Sequence, residues 1–148
     1  DTGELPTGEV PWQHVAATAA AARGDLAADV APFLAHTAQT PPLAAVGDLT
    51  GDIFTEGRGV IGAVQHLCNR IFTGFQFDAS FSDLSTPMHA VLAERRGVCQ
   101  DFAHVSCAAL RSVGLPARYV SGYIETVPLP GEPKPGPMPL EQPPEQRR

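Results

Sequence analysis

A cysteine that could act as a nucleophile lies at the predicted start of a helix. The segment ERRGVCQDFAHVSCAALRSVGL places Cys99 directly after a Gly-Val pair and before a helical run of apolar and small residues that ends near Val113. A thiol attacks carbonyl carbon as the thiolate, and a free cysteine, with a pKa of about 8.5, is mostly protonated at neutral pH. The unpaired N–H groups and the dipole of a helix N-terminus favour the anion and can also receive an oxyanion. Cys99 is therefore a candidate nucleophile for acyl transfer; the alternative is a buried small hydrophobic residue.

The sequence alone places none of the histidines beside this cysteine as a base. His104 follows Cys99 by five positions, about 140° around a helix axis, so the two side chains diverge. We expect His104 to be a packing or surface residue. His66 and His89 lie on earlier predicted helices, and nothing in the sequence brings either to the sulfur. The weakest candidates are the remaining two histidines, His14 and His36.

The other two cysteines have the character of packing residues. Cys107 follows Cys99 by eight positions, about 12 Å along a helix, which is too far for a disulfide and lacks the close spacing of a zinc site. Cys68, beside His66, falls on an apolar stripe, which favours packing over metal binding. The chain has 3 cysteines, and this odd number at wide spacing indicates a reducing compartment, with the cytoplasm as the predicted location.

Polar and aromatic residues near the candidate nucleophile have structural and functional interpretations. Gln100 and Asp101 would support the first helical turn through capping and the helix dipole in any protein, and we expect Asp101 to have a structural role. Tyr119 and Tyr123 alternate along a predicted strand. They could line a substrate cleft, although alternating aromatic residues more often pack on a sheet.

The apolar periodicity predicts the elements that must position this cysteine. Residues 25–59, interrupted by prolines and glycines, are predicted to be mostly loop with one short helical turn at most. Thr86 and Pro87 are predicted to be the N-cap and first residue of a short helix that stops at Gly97. Helices are predicted over 12–23, 60–72, 87–96 and 99–113, and Gly24 is the predicted stop of the first. A strand or extended link is predicted over 75–78 and a strand over 117–125.

Composition limits the class of protein and partner. The chain has 148 residues, 43% hydrophobic and 18% charged, which predicts one domain. Its net charge is −6 and no run of Lys or Arg exceeds two residues, so nucleic acid and anionic membranes are disfavoured as partners. No apolar stretch is long enough for a membrane span, and the N-terminal residues lack the pattern of a signal peptide.

The segment RRGVCQDFAHVSCAALRSVGLPARYVSGYIET, residues 95–126, closely resembles the cysteine-bearing segment of bacterial transglutaminase-like proteins. The resemblance continues upstream through STPMHAVLAERRG and, more weakly, through LCNRIFTGFQFD and VPWQHVAA, so it covers most of residues 10–126. It implies the fold of that superfamily, which is related to papain-like thiol proteases. It also implies Cys99 as the nucleophile and no metal or organic cofactor.

The resemblance departs from the family at the catalytic partners of the cysteine. The family places a His on a later strand and an Asp or Asn on the next one, but after Thr126 this chain reads VPLPGEPKPGPMPLEQPPEQRR, with neither His nor Asp. We therefore expect a thiol acyl transferase or hydrolase, acting on glutamine or amide groups, that is impaired in this chain. The alternative is a catalytically incomplete pseudoenzyme, a fragment or a protein-binding module.

The predicted fold class is α+β. We expect the helical amino-terminal half of a transglutaminase-like core, with the cysteine-bearing helix packed on a strand or partial antiparallel sheet. Residues 1–126 would form a partial domain and residues 127–148 a Pro-rich, disordered tail. The predicted partner is a protein or peptide substrate, and an unpaired edge of the strand over 117–125 would favour self-association.

Overall fold

The computed structural model describes residues 9–83 and 85–122, which form a helical body with a very small sheet. This confirms the predicted α+β class. Within the described residues, no helix combines the length and apolar character needed to cross a membrane. In chain order the elements are α1 (Trp12–Ala21), α2 (Gly24–Leu34), α3 (Ala44–Thr50), α4 (Val60–Gly74), β1 (Gln76–Phe77), α5 (Met88–Glu94), β2 (Arg96–Gly97) and α6 (Cys99–Ser112).

The cysteine-bearing helix α6 lies at the centre of the fold and packs against α3, α4 and α5. Its inward side chains include Val105, Ala108 and Ala109, each at most 2% exposed. The small alanines allow the neighbouring helices to approach closely, and the predicted helix is confirmed to within one residue. The core continues through Val46, Leu49, Ile53, Phe54, Ala63, Leu67, Ile71, Phe75, Met88, Val91, Leu92 and Leu115.

The helix predicted over 60–72 is confirmed as α4, but its buried face is narrower than the predicted apolar stripe. The buried side chains Ala63, Leu67 and Ile71 recur every four residues. Cys68, which was predicted to fall on this face, and Phe72 are exposed, Phe72 by 84%. Each follows a buried residue by one position, about 100° around the helix axis, and this rotation turns both side chains away from the core.

The prediction that residues 25–59 are mostly loop is wrong, because this part of the chain forms α2 and α3. Pro32 lies in the last turn of α2, with only Phe33 and Leu34 after it, so its effect on the helix is confined to that end. Gly24, predicted to stop α1, begins α2 with a φ of +59°, a left-handed conformation that glycine adopts without a Cβ clash.

Helix α5 begins and ends differently from the prediction. No side chain caps it, and the Thr86 hydroxyl instead accepts the N–H of Asp83 at 2.9 Å. The helix is closed by Arg95, whose φ of 50° lies in the left-handed region. Gly97, the predicted stop, lies two residues further on in β2. The stop was misplaced because a residue other than glycine adopts the left-handed conformation.

The two strands form a short parallel pair rather than an antiparallel one. The N–H groups of Gln76 and Asp78 donate to the carbonyls of Arg95 and Gly97 at 2.8 and 2.9 Å. The strand or link predicted over 75–78 is thus found as β1. Because β2 leads almost directly into α6, this pairing fixes the backbone in front of the cysteine.

The strand predicted over 117–125 is wrong over 117–122, where the described chain has no strand. The N–H of Ala117 instead donates to the carbonyl of Phe33 in α2 at 2.9 Å. The rest of that predicted strand, the domain boundary at 126 and the predicted tail over 127–148 lie outside the described residues.

Arg111, near the end of α6, ties three separated parts of the chain together. Its Nη1 donates to the carbonyl of Ala35 at 2.8 Å and to the hydroxyl of buried Thr40 at 2.9 Å. Its Nε and Nη2 donate to the carbonyl of Ala117 at 3.2 and 2.7 Å. The guanidinium therefore holds the end of α2 and the following loop against α6.

Candidate active site

Cys99 is the first residue of α6, as predicted, and its side chain is exposed. The exposure excludes the alternative that it is a buried small hydrophobic residue. Val98, in front of it, is extended, and the carbonyl of Val98 accepts the N–H of Phe102 at 3.1 Å. The N–H groups of the first helical turn have no intrahelical acceptor. An accessible sulfur and a set of backbone donors therefore share one end of α6.

The carboxylate of Asp101 holds the backbone in front of the cysteine. Its Oδ2 accepts the N–H of Val98 at 2.8 Å and the hydroxyl of Ser82 at 2.5 Å, and the residue is 9% exposed. An acidic side chain that reaches back from the third helical position to the N-cap N–H stabilises the start of a helix. The structural role predicted for Asp101 is therefore confirmed.

The part played by Ser82 was not found from the sequence. Ser82 lies in the polar segment DASFSDLST, nineteen positions before its partner Asp101. A single serine in such a segment has no periodicity or spacing that distinguishes it from its neighbours. Only the fold brings its hydroxyl to the first turn of α6.

Gly97 leaves the space that the Asp101 carboxylate fills. A Cβ added at Gly97 would lie 2.7 Å from Asp101 Oδ2 and 3.0 Å from Asp101 Cβ. Cβ atoms essentially never lie within 3.0 Å of a non-bonded oxygen, so any larger residue at position 97 would have to displace the carboxylate. Close approach, and not a positive φ, accounts for glycine at this position.

A cavity of about 250 Å³ opens beside the first turn of α6. It lies on the side of Gln100 and His104, and further polar lining comes from Gln39, Asp83 and Thr86. No Lys or Arg side chain lines it among the described residues. The charge of this lining suits a neutral polar or cationic group better than an anion.

His104 packs on Tyr119 rather than on the sulfur. The two rings are 5.1 Å apart between centroids, with a 40° angle between their planes. Burial lowers the pKa of the His104 imidazole, an effect that the Asp101 carboxylate opposes and the Arg111 guanidinium reinforces. His104 is thus the packing residue that we expected. Tyr119 is found in this ring contact, and Tyr123 lies outside the described residues.

The other histidines are not bonded to the candidate nucleophile. His14, His36 and His89 are exposed, and His66 is half-buried. Within residues 9–83 and 85–122, the only hydrogen bond of a histidine ring joins His36 Nδ1 to the carbonyl of Thr40 at 3.3 Å. No described imidazole therefore bonds to the sulfur.

The three cysteines differ in their surroundings. Cys107 is buried, as predicted, and burial raises the pKa of its thiol. Cys68, predicted to pack in the core, is exposed on α4. All three are free thiols, and no group of three or more His, Cys, Asp or Glu side chains in the described ranges is arranged to hold a metal ion. Cys99 and Cys68 are accordingly two exposed thiols, one at a helix start and one within a helix.

Comparison with known proteins identifies relatives in mycobacteria. Proteins of Mycobacterium tuberculosis and Mycobacterium bovis, both described as uncharacterized, are each 38% identical to this chain over 124 residues, which is 82% of the chain and 37% of each relative. An uncharacterized protein of Mycobacterium leprae is 64% identical over 33 residues, covering 22% of the chain and 12% of that protein. The chain therefore spans little more than a third of the length of its longer-matching relatives. No solved structure matches it.

The family assignment comes from the part of the chain that contains the site. The profile of the Transglutaminase-like superfamily matches residues 48–130, more than half of the chain. This range includes α6, its first-turn cysteine, and the Ser82 and Asp101 side chains that hold the backbone in front of it. The chain belongs to the transglutaminase-like superfamily.

Proposed function

We propose that Cys99 is the nucleophile of a thiol acyl-transfer reaction on a glutamine carboxamide or peptide carbonyl of a protein substrate. One observation supports this most strongly: an exposed cysteine is the first residue of a helix within the part of the chain that matches the transglutaminase-like superfamily. A sulfur in that place meets unpaired backbone donors and the positive end of a helix dipole. Both favour the thiolate, which is the reactive form.

The proposed chemistry proceeds in two stages. The Cys99 sulfur attacks the carbonyl carbon, and the negative charge that forms on the carbonyl oxygen is received by N–H groups of the first turn of α6. Collapse of this intermediate breaks the C–N bond and releases ammonia or an amine, which takes up a proton. A thioester remains on the sulfur. A second amine then attacks the thioester carbon and displaces the Cys99 sulfur, which gives a cross-linked or amidated product. Attack by water in the same way gives the free acid.

The acyl acceptor and the proton acceptor are the open parts of this proposal. Amine transfer and hydrolysis share the thioester, so the first turn of α6 serves either outcome. No described histidine bonds to the sulfur. The proposal therefore names the nucleophile and the oxyanion donors, and no proton acceptor.

A labelled-amine assay tests the proposed reaction. The folded chain is incubated with a glutamine-containing peptide and a fluorescent primary amine, and release of ammonia and hydrolysed peptide is followed in parallel. We expect slow product formation that is lost in Cys99→Ala. The matched control is Cys68→Ala, which removes the other exposed thiol and should leave the rate unchanged.

The assay also separates the second candidate function from the first. If no thioester, amine transfer or hydrolysis is detected with any peptide, or if activity survives in Cys99→Ala, the nucleophile assignment is wrong. The first of these outcomes, no reaction with any peptide, would indicate a catalytically incomplete member of the family that binds a protein partner.

A further inference from the structure

We propose that Ser82 is a positioning residue for Cys99, acting through the carboxylate of Asp101. The inference rests on the proposed function, since it concerns how the sulfur is kept reactive. Ser82 contacts neither the sulfur nor a reacting group. Its hydroxyl donates to Asp101 Oδ2 at 2.5 Å, and that oxygen also accepts the N–H of Val98, the residue before the cysteine.

The carboxylate needs to be held because its charge lies two residues from the sulfur. A negative charge near a thiolate opposes its formation, while a carboxylate at a helix start stabilises the helix. Two donors on one oxygen satisfy the Asp101 carboxylate and direct it toward Val98. Without the Ser82 hydroxyl, Asp101 Oδ2 would keep one donor, the N–H of Val98. The carboxylate could then rotate toward other donors. These include the first-turn N–H groups that the substrate oxygen requires.

The fold holds Ser82 in place for this contact. Preceding it, Phe81 packs its ring under the guanidinium of Arg96, 4.9 Å from the ring centroid. Phe81 also donates its N–H to the carbonyl of Asp78 at 3.3 Å, and Arg96 lies 3.5 Å from the Asp78 carboxylate. Since Arg96 is part of β2, these contacts attach the Ser82 segment to the strand that leads into α6.

Gly97 supports the same geometry from the opposite side. The Asp101 carboxylate packs where a Cβ of Gly97 would lie, so the carboxylate is confined between the backbone of β2 and the hydroxyl of Ser82. This confinement distinguishes it from an exposed Ser–Asp contact. The Ser80 hydroxyl, for example, donates to Asp78 Oδ1 at 2.7 Å in an exposed turn.

The test measures the rate at which iodoacetamide alkylates Cys99 at pH 7, read by mass spectrometry with Cys68 as the internal reference. We expect Ser82→Ala to slow Cys99 about threefold, and Ser82→Thr, which keeps the hydroxyl, to restore the rate. The control Thr73→Ala removes an exposed hydroxyl hydrogen bond within α4, to the carbonyl of Asn69 at 2.8 Å, and should leave the rate unchanged. Circular dichroism confirms that each variant is folded at the assay temperature.

Asp101→Asn gives a prediction of opposite sign. Its amide oxygen can accept from both Val98 and Ser82 as Oδ2 does, while the negative charge is removed, so Cys99 should react about threefold faster. If the Ser82–Asp101 hydrogen bond acted only on the stability of α6, both Ser82→Ala and Asp101→Asn would slow Cys99. If Ser82→Ala fails to fold, Ser82→Gly also removes the hydroxyl donor and should slow Cys99 in the same way.

The outcomes separate this inference from the proposed function. If wild-type Cys99 reacts faster than Cys68 but Ser82→Ala leaves it unchanged, or if Asp101→Asn slows it, the positioning role is wrong and the nucleophile assignment stands. If wild-type Cys99 reacts no faster than Cys68, both proposals are overturned. Slowing by Ser82→Ala, recovery with Ser82→Thr and acceleration by Asp101→Asn together support the positioning role.

Discussion

Gly97 and Asp101 lie against each other directly in front of Cys99. The carboxylate occupies the space that a side chain at Gly97 would need, and from there it accepts the N–H of Val98. The cysteine is thus presented by a backbone that one small residue and one acidic residue hold together. At the scale of single residues, the account depends on this close contact.

Gly97→Ala is expected to disturb both stability and the reactivity of the cysteine. The added methyl would lie within 3.0 Å of Asp101 atoms, so the carboxylate must shift, at a cost of about 1–3 kcal/mol in the free energy of unfolding. Urea denaturation measures the cost. Gly47→Ala is the matched control, because a Cβ at that helical position meets nothing within 4 Å and should be neutral or stabilising. Equal effects in the two variants would contradict the packing described here.

At this scale, the sequence was informative where a residue acts through its position in a helix. The start of α6 at Cys99 and the burial of Cys107 were both predicted from the pattern of apolar residues and glycines. Ser82 and the outward direction of Cys68 were not. The role of Ser82 depends on a contact between distant segments. The direction of Cys68 depends on a rotation of one helical position. Neither leaves a signal in the local sequence.

At the scale of elements, α6 is held at both ends by contacts that come from distant parts of the chain. Arg111 joins its last turn to the end of α2, to the loop that contains Thr40, and to Ala117. Two of these partners, Ala35 and Thr40, lie in the part of the chain where prolines and glycines obscured the helices α2 and α3 in the sequence. Well-separated periodic helices such as α4 were predictable. Helices with interrupted patterns form because the rest of the fold provides their packing partners.

Arg111→Met is expected to destabilise the protein by about 2–4 kcal/mol, because it leaves two buried or half-buried acceptors without the guanidinium. Denaturant unfolding of the variant measures the loss. Arg118→Met is the matched control, since the exposed Arg118 makes a cation–π contact with Phe33 at 5.6 Å and no hydrogen bond within residues 9–83 and 85–122. Its loss should cost less than about 1 kcal/mol. If Arg111→Met loses no more stability than the control, the hydrogen bonds of Arg111 do not contribute to the free energy of unfolding.

Asp52 and Arg70 form a bidentate ion pair between the turn after α3 and helix α4, at 2.5 and 2.7 Å. The hydrogen bonds from Arg70 lower the pKa of the Asp52 carboxyl from 3.8 to about 2. Because the folded-state pKa is the lower one, the pair adds stability above pH 3.8, and this contribution is lost as the pH falls toward 2.

Asp52→Asn should therefore reduce stability at pH 6 and make no difference near pH 2. Unfolding midpoints of the variant and the wild type, measured at several pH values, check this expectation. Asp29→Asn, which removes an exposed carboxylate of α2 that has no hydrogen bond or ion pair among the described residues, serves as a control for general charge effects. A gap between Asp52→Asn and wild type that stays constant with pH would rule out the ion pair as its source.

At the scale of the whole molecule, two aromatic side chains stand out on the surface. Phe72 on α4 is 84% exposed and Phe77 on β1 is 65% exposed. Self-association was expected through the edge of a strand over 117–125, but residues 117–122 form no strand. Self-association remains a prediction, and Phe72 and Phe77 are the exposed apolar side chains on which it can be tested.

Phe72→Ser combined with Phe77→Ser should weaken self-association of the chain by about tenfold or more, since two large apolar side chains would leave the contact. Sedimentation velocity over a range of protein concentrations measures the association. Leu26→Ser, which changes an exposed apolar residue on α2, is the control and should have no effect. A wild-type protein that is monomeric at every concentration, or a double variant that associates as strongly, would argue against this surface.

Selective alkylation of the wild-type chain is the sharpest test of whether Cys99 is reactive because it starts α6. Cys68 is the internal reference, since it is also exposed but lies within a helix, and Cys107 reports unfolding because it is buried. Iodoacetamide at pH 7, followed by mass spectrometry, gives the three rates in one experiment. We predict that Cys99 reacts about fivefold faster than Cys68, with Cys107 slowest. Equal rates for Cys99 and Cys68 in the folded protein would contradict the account.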